Sequence, residues 1–497
     1  MAISRRAILI RFAAIACGLA PFLLAELFFT WVGWGRPDDH VDPFVGFRNT
    51  RPLFVLNEAG TDYEIPKGRQ LCFRPESFSA KKSTDDFRIF CLGGSTVQGR
   101  PYAIETSFTT WLELSLQSAD PTRQWEVVNC GGISYASYRL APILEEILDY
   151  EPDLVILYTG HNEFLEDRTY RHIKQRSEIT NKALETASRL RTFNVVRAAI
   201  LDEDPAVQDP AIELPEEVEA RLDYRGGLDK YVRDPVWHAG VVEHFRLNLR
   251  RMIAICERTG VLVWIVDPVS NLRSCPPFKA SHREDLDDVA FQRWHELRTG
   301  AAEHYRDNMP LALDMLKQAA AIDDQHAGLW YDLGKSYEAI GQYDLAATAY
   351  RQSRDLDLCP LRMVEPLYAA LVDVAESTGT PVIPVRQLFE ARCEHGIPGG
   401  FLLVDHVHPS ITGHQMIAEL LMDQMASEAI LVPQSDWQTD RDARYQTHME
   451  SLDDKYYIEG QRRLRGLQSW AQGRATQVRG EIDGSGTPNT AENDCQP

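Results

Sequence analysis

The chain has 497 residues, more than one ordinary domain needs, which predicts two or three folded units. Hydrophobic residues make up 44% of it, enough for a sizeable core, and a net charge of −21 argues against nucleic acid or an anionic membrane surface as the main partner. The nine cysteines are scattered, with no CxxC or metal-ligand spacing, so neither a disulfide framework nor a metal site is expected, and no cofactor motif stands out.

The first unit is residues 1–36. Ala7 to Trp34 is strongly apolar, and the stretch Phe12–Trp31 is long enough to span a bilayer. Arg5, Arg6 and Arg11 precede it, while Asp38, Asp39 and Asp42 follow. The positive-inside bias then places the N-terminus in the cytoplasm and the rest of the protein outside it, on the periplasmic or cell-surface side. A cleaved signal peptide competes with this reading, and Ala14-Ile15-Ala16-Cys17 is similar to a lipoprotein cleavage box. The apolar run continues well past Cys17, however, and Arg11 leaves too short a stretch upstream, which favours an uncleaved single-pass anchor. Glu26 is costly in lipid; it would reach the interface or face a partner helix.

Residues 37–86 mix short apolar pieces with Pro, Gly and Asn, as in a small strand-rich collar. Five strand candidates follow: Arg88–Leu92, Glu126–Cys130, Leu154–Thr159, Val261–Val266 and Pro381–Val385. They are apolar on both faces and alternate with helical patterns such as Ile143–Tyr150 and Val242–Cys256, which predicts a doubly wound α/β sheet with helices on both sides. Cys91 and Cys130 fall inside these runs and should simply pack.

Two insertions interrupt the pattern. Residues 166–237 are polar and charged with no clear strand, and predict a largely helical lid. Residues 295–358 carry Trp330, Leu333, Gly334, Tyr337, Ala346 and Tyr350 at tetratricopeptide spacing, and Gly300, Ala312 and Leu316 stand 34 residues before Gly334, Ala346 and Tyr350. The segment resembles two tetratricopeptide repeats, a possible seat for a protein or peptide partner. The α/β domain would therefore run over residues 87–294 and 359–432. Residues 433–497 turn polar, with a possible helix near Asp453–Arg474 and a disordered end.

Three short blocks carry the chemistry. Gly93-Gly94-Ser95-Thr96 follows the first strand, Gly160-His161-Asn162-Glu163 follows the third, and Asp405-His406-Val407-His408-Pro409 lies near the end of the domain. Together they supply a nucleophile, an oxyanion donor, and a base with its orienter. In order and placement they resemble the SGNH (GDSL-type) hydrolases, over roughly Phe87–Phe164, Val242–Arg273 and Pro381–Gln424. That resemblance implies a flavodoxin-like three-layer α/β/α domain with Ser95 as nucleophile, Asn162 as oxyanion donor, His408 as base and Asp405 as its orienter.

The family's usual Gly-Asp-Ser reads Gly93-Gly94-Ser95 here. Its second-block Gly, whose N–H enters the oxyanion hole, maps to Ser134, with Gly131 or Gly132 as alternatives. Glu163 replaces the usual Asp. His406 and His414 are expected to flank or pack. Gly132, Arg273 and Arg362 are candidate substrate contacts; an ion-pair role competes for the two arginines. The resemblance implies a serine esterase acting outside the cytoplasm on an ester or acylated glycan. Acetyl transfer to or from a cell-surface glycan, and a non-catalytic tetratricopeptide scaffold, are the competing functions.

Overall fold

The computed structural model describes residues 5–32, 34, 42, 44–47, 51–167, 190–193, 195–196, 212–215, 217–223 and 226–471. Strands run in chain order as β1 (Val45–Phe47), β2 (Val55–Leu56), β3 (Asp62–Glu64), β4 (Ser77–Ser79), β5 (Phe87–Gly93), β6 (Trp125–Gly131), β7 (Leu154–Tyr158), β8 (Ile212–Leu214), β9 (Leu262–Val266) and β10 (Val382–Ile383). Five of them form one parallel sheet in the order β10-β9-β7-β5-β6. Counting only these five, the order is 2-1-3-4-5, the doubly wound arrangement of flavodoxin-like sheets. The fifth strand is shorter than Pro381–Val385, because Val385 already opens a helix.

The pleat sends alternate residues to opposite faces, and both faces are buried. Phe90, Leu92, Val155, Leu157 and Ile265 enter one core; Ile89, Cys91, Leu154, Ile156 and Trp264 enter the other. Cys91 and Cys130 are fully buried packing residues. The described helices are α1 (Arg5–Val32), α2 (Ser95–Gln98), α3 (Phe108–Ala119), α4 (Ser137–Ile147), α5 (Pro235–Thr259), α6 (Asp288–His304), α7 (Met309–Ile322), α8 (Ala327–Ala339), α9 (Tyr343–Asp355), α10 (Glu365–Thr378), α11 (Val385–Arg392), α12 (Ile411–Ser427), α13 (Trp437–Ser451) and α14 (Asp454–Ala471). Helices α4, α5 and α10 cover the first core, and α3 and α12 the second.

The small sheet β2-β3-β4 lies in the collar region and lends Phe78 to the first core. Most of the 166–237 insertion lies outside the described residues, so its reading as a helical lid does too. Its described part contains a strand that sequence patterning missed: β8 pairs in parallel with β1. Three residues are too few for a periodicity to register.

Four consecutive helices, α6 to α9, fill the second insertion as two hairpins. A Cβ on Gly300 would strike Met315, and one on Gly334 would strike the Tyr350 ring, so each hairpin closes over a glycine. Ala312 and Ala346 are both fully buried at equivalent turns.

α1 is a single 28-residue helix that exposes Phe22, Leu23, Leu24, Leu27, Phe28 and Trp31. Among the described residues, no helix is long and apolar enough to cross a membrane. The run Phe12–Trp31 starts among residues of α1 whose side chains lie outside the description. The Glu26 carboxylate accepts hydrogen bonds from the Arg191 N–H (2.7 Å), the Thr192 N–H (2.8 Å) and the Thr192 hydroxyl (2.8 Å). Asp42, one of the acids that follow the apolar run, is buried and bonds to His244 of α5 at 2.7 Å.

Residues 437–471 are folded onto the α/β domain rather than forming a loose tail. In α13, the Tyr445 hydroxyl bonds to Ser115 Oγ (2.7 Å) and the Trp111 carbonyl (2.9 Å) of α3. α14 seats Gly460 against the Tyr102 ring, where a Cβ would collide, and stacks Tyr456 on Tyr102 at 5.8 Å.

Candidate active site

Ser95 opens α2 directly after β5, and Asn162 follows β7. These strands are neighbours in space but first and third in order, so the two residues meet at the topological switch point, at the carboxyl end of the sheet. The turn after β5 needs Gly93, whose Cβ would lie 2.2 Å from the Tyr158 carbonyl oxygen. At Gly94 a Cβ would meet Asn162 Nδ2 at 2.4 Å. The departure from the family's Asp therefore leaves room for the Asn162 amide to close in on the turn.

Ser95 Oγ lies 2.7 Å from His408 Nε2, and His408 Nδ1 lies 2.7 Å from Asp405 Oδ2. The other oxygen, Asp405 Oδ1, accepts the backbone N–H groups of His408 (2.8 Å) and Val407 (2.9 Å). Spacing of three residues thus lets one carboxylate fix both the ring and the backbone of the histidine. Burial alone would raise the Asp405 carboxyl, but the His408 and His406 imidazoles and the hydrogen bonds from His408 hold it well below the usual carboxylate range. It stays ionised and keeps the His408 proton on Nδ1, so that Nε2 faces Ser95 as an acceptor.

Donors converge on the other side of Ser95. Asn162 Nδ2 gives one hydrogen to the Tyr135 carbonyl at 2.9 Å, which locks the amide and leaves its second hydrogen free. Ser134 has a left-handed backbone, φ 63°, and lines the same cavity. That conformation suits glycine and costs a serine roughly 1–3 kcal/mol. The N–H groups of Gly131 and Gly132 are committed to Asn129 Oδ1 and the Gly93 carbonyl, so neither alternative to Ser134 is available. The N–H groups of Ser134 and Ser95 have no acceptor among the described residues.

The remaining candidates sit elsewhere. Gly132 is a packing position against Tyr135 and Phe73. Arg273 binds Glu338 (2.5 Å) and Glu394 (2.8 Å), tying β9's exit loop to the helical insertion. Arg362 is buried and donates to the Asn271 (2.9 Å) and Cys275 (2.7 Å) carbonyls. Neither arginine lines the cavity. Arg362 reaches the site through Asn271, whose amide donates to the Asp405 carbonyl at 3.0 Å and whose N–H donates to the His406 carbonyl at 3.0 Å, and through Phe278, which packs between Arg362 and His406.

Asn271 is thus a support that sequence reasoning passed over in favour of its neighbour Arg273. Glu163 caps α4 through the Ser137 N–H and hydroxyl. His406 does line the cavity, but burial, with His408 and Arg362 nearby, pushes it down to about 4 despite Asp405. His414 stacks on Phe108 and accepts its N–H, and burial pushes it down to about 3.

Leu165, Leu361, Leu467 and Trp470 close the cavity over Ser95, leaving about 30 Å³. Leu467 and Trp470 come from α14, and the Trp470 indole N–H is fixed by Asp223 at 2.8 Å. Neither was foreseen. The signal was the i, i+4, i+7 spacing of Arg463, Leu467 and Trp470, which puts them on one helix face.

No protein-family model and no curated protein matches the chain. Among solved structures, a lipase/acylhydrolase from Enterococcus faecalis is 12% identical, with 70% of this chain and 99% of that one covered at a TM-score of 0.32. The acetylxylan esterase Axe2 from Geobacillus stearothermophilus is 12% identical, covering 70% and 96% at 0.30. The acetyl xylan esterase AlAXEase is 11% identical, covering 68% and 99% at 0.31. At such values the assignment of fold and site rests on the strand order and on the groups gathered at its switch point.

Proposed function

We propose that the protein is a serine esterase of the SGNH type that removes a small acyl group, acetyl above all, from an alcohol or sugar hydroxyl. The observation that carries this is the continuous chain Ser95–His408–Asp405, with both links at 2.7 Å. Ser95 Oγ attacks the ester carbonyl as His408 Nε2 takes its proton, and Asp405 stabilises the imidazolium that forms. The carbonyl oxygen becomes an oxyanion facing the Ser95 and Ser134 N–H groups and the free Asn162 hydrogen. The intermediate collapses, His408 returns the proton to the departing alkoxide, and an acyl group remains on Ser95. Water, activated by His408, then releases the acid. A sugar hydroxyl in place of water would make the same steps an acetyl transfer.

The narrow cavity beside Ser95, with Leu467 and Trp470 of α14 in its lining, favours a short acyl group. The two departures that would favour a retired enzyme are both absorbed: Gly94 makes room for Asn162, and Ser134 adopts the backbone of the glycine it replaces. Wild-type protein should turn over aryl acetates, and Ser95→Ala and His408→Ala should each lose nearly all of that activity, by similar factors. Equal turnover by wild type and Ser95→Ala would end this account.

The apolar α1 is read as a membrane tether with the body outside the cytoplasm, from the arginines before it and the acids beyond it. A C-terminal alkaline phosphatase fusion should be active; an inactive fusion would reverse the orientation. Helices α6 to α9 are read as two tetratricopeptide repeats, supported by the matching glycine contacts 34 residues apart. An experimental structure in which the two hairpins fail to superpose in that register would reject the repeat.

A further inference from the structure

We propose that Arg100, beside Ser95 in the closed cavity, binds a negative charge on the alcohol half of the substrate, so that the enzyme prefers esters of anionic alcohols such as acidic sugars. This rests on the esterase reading above and names its substrate class.

Arg100 is carried by the nucleophile's own turn. The short helix α2 ends at Gly99 in a left-handed conformation, and the Arg100 N–H returns to the Ser95 carbonyl at 3.1 Å. The side chain lines the cavity with Ser95, Ser134, Asn162 and His408. It is partly buried, its Nε has neither solvent nor partner, and its guanidinium forms no ion pair or hydrogen bond among the described residues.

Arginine is rarely left so. Of the nearby carboxylates, Asp405 is spent on His408, and Glu459 pairs with Arg463 at 3.1 Å. Arg74 also faces this region, with Glu105 and Glu459 as its acidic neighbours, and its own Nε is buried without a partner. Burial first, then Arg74 and Arg463, bring the Arg100 guanidinium down to about 10. It remains a cation at neutral pH, held among cations.

In a protein of net charge −21, this is a local inversion of sign at the mouth of the reactive serine. An anion docked there would supply the missing partner. A guanidinium fork suits a carboxylate or a sulfate oxygen pair. An acetyl group, the acyl half proposed above, carries no charge, so the anion belongs to the leaving alcohol.

The test compares 4-acetoxybenzoate and 4-acetoxybenzenesulfonate with the neutral 4-acetoxybenzamide. Wild-type kcat/KM should favour the anions by roughly 10–100-fold, the size expected of a charge-assisted pair. The preference should shrink with added salt. Arg100→Gln should collapse the ratio, and Arg100→Lys should restore part of it. The carboxylate and sulfonate arms tell which anion fits.

Binding of 4-hydroxybenzoate and 4-hydroxybenzamide to the Ser95→Ala protein provides a readout without turnover. Tighter binding of the anion, lost when Arg100→Gln is added, supports the subsite even if no ester is cleaved. Equal binding of the two, or a wild-type ratio unchanged in Arg100→Gln, overturns it while leaving the esterase reading intact.

Discussion

At Ser134 the proposed oxyanion donor is a backbone N–H, set by a positive φ. Asn162 differs, because its donor is a side-chain amide with one hydrogen already tied to Tyr135. Removing that side chain deletes a preorganised donor without opening a route for water to replace it in the same geometry. Asn162→Ala should therefore lower kcat by about 10²–10³-fold with little change in KM. A change confined to KM would make Asn162 a ground-state contact instead.

Ser95, Asn162, Asp405 and His408 were legible because each sits at a fixed offset from a strand end or from its partner. For Arg273 and Arg362 the sequence left a substrate contact and an ion pair open, and both arginines sit in ion pairs. Position at the carboxyl end of a strand says that a residue is near the site, but not which way an ion pair will pull it. Glu338 and Glu394 pull Arg273 away. Arg100 went unmarked because only the turn at Gly99, visible in three dimensions, brings it back to the nucleophile.

Among the elements, α14 has the clearest consequence for function. Its polar composition resembled a tail, since one narrow stripe, with Tyr456, Gly460, Arg463, Leu467 and Trp470, faces the body. Leu467 and Trp470 of that stripe line the cavity beside Ser95. Gly460→Val would drive a side chain into the Tyr102 ring, where a Cβ already approaches to 2.2 Å, and should lift the helix. The variant should hydrolyse p-nitrophenyl butyrate and octanoate better relative to acetate than wild type does. An unchanged chain-length profile in a folded Gly460→Val protein would show that α14 does not set acyl size. The five strands, by contrast, were legible because both faces of each are apolar, whereas β8 was too short to announce itself and pairs with a partner some 170 residues away in sequence.

Across the whole molecule, the buried histidines tie stability to pH. His406 is pushed down to about 4 and His414 to about 3, so both are neutral in the folded protein at pH 5 to 7. An unfolded histidine protonates near pH 6.5. Below that value the unfolded chain binds the extra protons. The contribution of these two histidines is therefore full above about pH 6.5 and falls as pH drops towards 4 and 3, by up to about 1.4 kcal/mol per pH unit for each; the buried carboxyls of Glu76, Glu113 and Asp267, pushed up to about 7 by burial, act in the opposite sense over the same range.

Between pH 7 and pH 5 the melting temperature of the wild type should fall relative to that of His414→Asn, a comparison in which the opposing carboxyls cancel. A difference between the two proteins that does not change with pH would contradict the burial of a neutral His414 imidazole. The doubly wound topology itself was legible from alternation of apolar strands and helices. The strand order came only with the family resemblance and not from the apolar pattern, because the placing of β5 between β6 and β7 is decided by how the helices pack on each face.

The proposed reaction stands or falls with Ser95 as a nucleophile activated by His408. Labelling with a fluorophosphonate probe, followed by peptide mass spectrometry, tests it most directly. Wild-type protein should carry one adduct, on Ser95, and Ser95→Ala and His408→Ala should carry none at the same exposure, while His406→Ala labels normally. Labelling of Ser95→Ala to the wild-type extent, or an adduct on another serine, would contradict the account.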